Sequence, residues 1–92
     1  QILYFESIRH VIQVHYGTEM FEFYSTLGKI EELLFGHGFM RIHRSFLVSL
    51  RYAASLASYT LTLYNGEQLP VAKGSYRQLK EKMTPAPGAE VL

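Results

Sequence analysis

The chain has 92 residues, 48% of them hydrophobic, with seven tyrosines, six phenylalanines, no cysteine and a formal net charge of +1. That length supports one domain with one modest core and excludes two, and the richness in strand formers argues against disorder over most of it. No apolar run is long enough to span a bilayer, and the lack of cysteine excludes a disulfide framework or thiolate metal site and is compatible with a reducing cytoplasm.

In chain order, Ile2 to Ser7 reads as a strand that begins abruptly, which suggests a neighbour preceding it. Val11 to Tyr16 is a second strand, and Gly17-Thr18-Glu19 turns the chain into a third over Met20 to Tyr24. Ser25 or Thr26 is placed to cap a short helix, with Leu27, Ile30, Leu33 and Leu34 on its inner face and Lys29, Glu31 and Glu32 outside. Gly36 and Gly38 end it. Its acidic outer face suits a cover for a sheet, not a helix lying in a nucleic-acid groove.

Phe39 to Ser49 follows. Strict alternation would put Met40, Ile42, Phe46, Val48 and Leu50 on one face, and would bury Arg44 among them. An unpaired buried guanidinium is too costly. The expected solution is two short strands with a tight turn at His43-Arg44-Ser45, so that Arg44 projects outward to meet solvent or an anion.

Beyond it, Arg51-Tyr52 is expected in a turn and Ala53 to Ser58 in a small-residue strand or connector. Tyr59 to Tyr64 alternates as a strand, Asn65-Gly66 carries a two-residue hairpin signal, and Glu67 to Ala72 returns with Pro70 marking an edge strand or a bulge. Ser75 is placed to cap a last helix that turns Tyr76, Leu79 and Met83 inward and Arg77, Lys80 and Lys82 outward. The expected domain spans residues 1–83, and 84–92 reads as a flexible tail. The fold class is mostly β with two short helices.

Charge placement adds a functional clue. Most of the glutamates lie apart in sequence from three basic pieces, Arg9-His10, Arg41 to Arg44 and Lys73 to Arg77. If these pieces fold onto one side, a nearly neutral protein gains a local positive surface. Arg44 offers a rigid fork of donors for a phosphate or a base edge, and His43 and Ser45 beside it can donate to phosphate oxygens. Arg41 is either a phosphate contact or a solvated strand charge.

Arg41-Ile42-His43-Arg44-Ser45-Phe46-Leu47-Val48 resembles the core signature of the LytTR family, the DNA-binding output domains of bacterial response regulators of the LytR/AlgR type. Ile2 to Ser7, Thr26-Leu27, Asn65-Gly66 and Leu69-Pro70-Val71 support the resemblance in the expected order. It implies a compact β domain that binds double-stranded DNA through loops. The loop at Arg9-His10 and one near Lys73 would enter successive major grooves, with Arg44 over the minor groove between them. The implied DNA-contacting set is Arg9, His10, Arg41, His43, Arg44, Ser45, Lys73, Ser75 and Arg77. The chain departs from the family pattern at Ser49, Ala72 and Gly74, where asparagine, serine and a large polar residue are usual. The resemblance further implies a receiver or sensory domain on the N-terminal side, two copies on repeated promoter sites, a cytoplasmic setting and no cofactor.

Two other classes compete. His10, His15, His37 and His43 raise the question of an enzyme, but the chain has no aspartate, no compact metal motif, no Gly-rich phosphate loop and no nucleophile elbow. A non-enzymatic role is therefore expected. The stronger rival is a β-rich module that binds protein through an exposed edge or aromatic patch.

Overall fold

The computed structural model describes residues 1–84, so the tail expected over 84–92 lies outside the described residues apart from Thr84. Five strands, β1 Ile2–Ile8, β2 Val11–Tyr16, β3 Glu19–Tyr24, β4 Phe39–His43 and β5 Phe46–Ser49, form an antiparallel sheet in the order β3-β2-β1-β5-β4. A 3-10 turn at Leu50–Tyr52 leads to a second antiparallel sheet, with β6 Ala53–Ala57, β7 Thr60–Leu63 and β8 Gln68–Pro70 in the order β6-β7-β8. Helix α1 spans Leu27–Leu33 and α2 spans Lys73–Met83. Pro70 therefore lies on an edge strand, where its missing N–H costs the ladder least.

Residues paired across antiparallel strands share a face, so the register sorts the side chains into two cores. Tyr4 pairs with Val48 and Val48 with Met40, and that face meets the second sheet and α2 through Ile42, Leu61, Leu63, Leu69, Val71 and Leu79. Phe5 pairs with Leu47, and the opposite face takes Ile12 and the inner side of α1, Leu27 and Ile30. The result is three layers: α1, the five-stranded sheet, then the small sheet with α2. The central strands are covered on both faces, which is why Leu47 and Val48 are adjacent in sequence and both fully buried.

Side chains alternate along Phe39 to Ser49 with the reversal the buried-charge cost requires. Met40, Ile42 and Val48 enter one core with Phe46 and Leu50 packed against it, and the chain reverses so that Arg44 stands exposed. Thr26 caps α1, its Oγ1 accepting from the Lys29 N–H at 3.3 Å.

Three local expectations are corrected. Leu33 is 75% exposed, because Leu27, Ile30 and Leu34 set the inward direction and Leu33 ends a short helix on the flank turned away from Glu31. The Asn65-Gly66 hairpin has a three-residue loop. The Leu63 N–H donates to the Glu67 carbonyl at 2.8 Å, the Gly66 N–H donates to the Leu63 carbonyl at 2.9 Å, and Gly66 takes φ +94°. Asn65 enforces this by accepting from the Glu67 N–H at 2.9 Å and donating to Glu67 Oε1 at 2.8 Å.

The third correction concerns α2. Its N-cap is Ala72, whose carbonyl accepts from the Ser75 N–H at 2.9 Å, so Ser75 lies in the first turn and caps nothing. Lys73 is the first helical residue and not part of a loop. The start is set by tertiary structure, since the Ala72 N–H donates to the Ile42 carbonyl at 2.7 Å.

One polar contact ties the two sheets. The Tyr4 hydroxyl donates to Glu67 Oε2 at 2.8 Å, and burial, reinforced by that hydrogen bond and the carboxylate charge, pushes its pKa well above the usual tyrosine range.

Candidate nucleic-acid interface

Antiparallel pairing determines which loops meet. The β1–β2 turn consists of Arg9 and His10, closed by the Ile8–Val11 pair, and both residues are exposed. The β4–β5 turn consists of Arg44 and Ser45, closed by His43 opposite Phe46. Because β5 runs antiparallel beside β1, this second turn lies at the same end of the sheet, and the Ser7 N–H donates to the Ser45 carbonyl at 2.9 Å. The bond from Ala72 to Ile42 brings the first turn of α2, with exposed Lys73, to that end as well.

Arg9, Arg44 and Lys73, which are remote in sequence, thus share one end of the domain. Among the described residues none of the three makes an ion pair, and these are the cations a polyanion would meet first. Arg77 is also exposed, but it sits about a helical turn farther from the end and lies 3.8 Å from Glu81.

The remaining expected contacts are more engaged. His43 Nδ1 accepts from the Ser45 N–H at 3.1 Å, and its ring packs edge-on against Phe46 at 5.7 Å between centroids, which leaves Nε2 as the nitrogen able to donate outward. Ser45 and Ser75 are half-buried. Arg41 is turned back onto its own hairpin. Its Nε donates to the His43 carbonyl at 3.0 Å, one terminal nitrogen donates to the Arg44 carbonyl at 2.9 Å, and the other meets Glu31 Oε1 at 3.0 Å.

One element at this end carries no obvious mark in the sequence. Ser58 and Tyr59 form the β6–β7 turn with φ +51° and +58°, and the Tyr59 carbonyl accepts from the Val71 N–H at 2.9 Å just before α2. Tyr59 is partly exposed and its ring lies 4.5 Å from that of Tyr76. Turns with two left-handed residues favour Asn-Gly or Asp-Gly, and Ser-Tyr offers no such signal. Arg9, at φ +53°, is the only other non-glycine residue in that region among those described, so all of this backbone strain lies at the turn-bearing end.

Among the described residues no three His, Cys, Asp or Glu side chains gather as metal ligands, and no helix is long and apolar enough to cross a membrane. His15, stacked on Tyr4 at 4.1 Å, leaves Nε2 without a hydrogen bond 4.0 Å from Glu6, which reads as a packing residue beside the sheet-to-sheet contact.

Comparison with known proteins bears on this end. The family model of the LytTr DNA-binding domain matches residues 1–84. Among solved structures, the chain is similar to the LytTr DNA-binding domain of a methyl-accepting/DNA response regulator from Bacillus cereus. Identity is 28% and the TM-score 0.73, over 88% of this chain and 78% of that one. No curated protein matches.

Proposed function

The chain belongs to the LytTR family of DNA-binding domains, and from that premise we propose that it binds double-stranded promoter DNA sequence-specifically through its turn-bearing end. Arg9-His10 and the start of α2 at Lys73 enter successive major grooves, while Arg44 lies over the minor groove between them, where a narrow A·T-rich stretch attracts its charge. His43 Nε2, Ser45 and the outlying Arg77 contribute backbone contacts that position the domain. The observation that carries this reading is the convergence of Arg9, Arg44 and Lys73, each without an ion-pair partner, on one end.

In a longer transcription regulator this domain acts as the output module, working in the cytoplasm beside a receiver or sensory domain. Two copies then occupy repeated sites, and dimerisation of the partner domain raises the effective concentration of the second copy at its site. No catalytic step is assigned to the chain.

The test is selection from randomised duplex DNA, followed by titration of the recovered site at several salt concentrations with wild type and Arg44→Ala. The expected results are a defined motif, a steep salt slope, and a loss of about 1–3 kcal/mol for the variant. An absence of binding even at low salt refutes the reading.

A second reading, a β module that binds protein, draws on β3. This edge strand is exposed along its whole length and displays Met20, Phe21, Phe23 and Tyr24. A partner held there by apolar contact would bind with little dependence on salt, unlike DNA.

A further inference from the structure

Arg41, the cation nearest Arg44 in sequence, faces a different task from its neighbour. The pairing of β4 with β5 shifts register between Arg41 and His43, so the ladder is irregular just where the hairpin must present Arg44. Two carbonyls of this segment, those of His43 and Arg44, are taken up by the Arg41 guanidinium at 3.0 and 2.9 Å. The third carbonyl, that of Ile42, accepts from the Ala72 N–H that starts α2. The far side of the guanidinium is held by Glu31 of α1 at 3.0 Å. A planar fork can meet two carbonyls and a carboxylate at once, which the single ammonium of lysine cannot do in that geometry.

We propose that Arg41 and Glu31 form a positioning clamp that fixes the Arg44 turn for DNA, and that Arg41 itself is not a phosphate contact. This rests on the DNA-binding reading above. With its charge matched by Glu31 and three of its nitrogens already donating to protein acceptors, Arg41 adds little to the positive field of the turn-bearing end. Its contribution to affinity is to keep the Arg44 backbone in one arrangement before DNA arrives, which lowers the ordering cost of binding. Ile42 extends the arrangement, because the same short segment holds the start of α2 and therefore Lys73.

The two roles predict opposite signs for Glu31→Gln. If Glu31 supports the clamp, its loss weakens DNA binding about threefold. If Glu31 merely competes with phosphate for Arg41, removal of its negative charge tightens binding. Arg41→Lys is the companion test. A clamp loses about tenfold in affinity, the scale of one charge-assisted hydrogen bond, with the salt slope unchanged. A phosphate contact instead keeps most of its affinity with lysine, and the slope falls by ~0.9 only with Arg41→Ala.

A measurement without DNA separates the clamp from the function it serves. Amide hydrogen exchange at Ser45, whose N–H bonds His43 Nδ1 inside the turn, should accelerate several-fold in Arg41→Lys while the β1 and β5 amides hold their wild-type rates. Unchanged exchange at Ser45 overturns the clamp whatever the DNA result. Accelerated exchange in a protein that binds no duplex upholds the clamp and overturns the DNA reading instead.

Discussion

Replacing Arg9 by glycine should stabilise the domain while weakening its hold on DNA. Arg9 occupies the left-handed region at φ +53° in a two-residue turn, and its side chain makes no ion pair among the described residues. That conformation costs an L-residue about 1–2 kcal/mol, against which glycine loses about 0.5–1 kcal/mol more chain entropy on folding. The midpoints of these two ranges leave a net gain of about 0.75 kcal/mol, or roughly 3–6 °C in Tm for a domain of this size. On DNA the same substitution removes a guanidinium, which costs about 1–3 kcal/mol if it reads a base edge and lowers the salt slope by ~0.9 if it neutralises a phosphate. Thermal melts followed by circular dichroism and anisotropy titrations on the selected duplex at several salt concentrations read both effects. A variant that melts at or below the wild-type temperature refutes the strain argument, and one that binds with wild-type affinity and slope removes Arg9 from the interface.

Two further substitutions test the scaffold behind that end. Leu79 is the one fully buried residue of α2 and packs into the core between the sheets, so Leu79→Ala should cost about 2–5 kcal/mol in urea unfolding. A loss under about 1 kcal/mol would show that α2 is not docked through Leu79. Tyr4 tests the contact between sheets through pH. Its raised pKa means that the neutral hydroxyl is the form the fold favours, so its contribution is whole below the unfolded value of about 10 and is lost as pH rises from there. Tyr4→Phe should lose about 1 kcal/mol at neutral pH and show a shallower decline in stability above about pH 10. Parallel alkaline declines in the two proteins would contradict the burial of that hydroxyl beside Glu67.

The sequence by itself determined most of the elements and the face of most residues within them, because those depend on near neighbours; Leu33 and the start of α2 are the exceptions. The two-residue period of Phe39 to Ser49 and the cost of burying Arg44 were enough to place the hairpin and turn the guanidinium outward. Ser25-Thr26 marked the start of the first helix, and Pro70 marked an edge strand or a bulge, with the structure choosing Thr26 and the edge. Tertiary structure decided whatever depends on a partner distant in the chain. Ile42 sets the start of α2 by accepting from Ala72, which no capping residue near Ser75 announces. Glu31 and two turn carbonyls hold Arg41 on its own hairpin, although along the chain it reads equally as a phosphate contact or a solvated strand charge. Ser58 and Tyr59 hold a turn that their own preferences disfavour, because the pairing of β6 with β7 and the bond from Val71 keep them there. The meeting of Arg9 and Arg44 follows from strand order, and the bond from Ala72 to Ile42 adds Lys73 to them. A hydrogen-bonded ladder places loops by their distance in space, and the local pattern along the chain carries no measure of that distance.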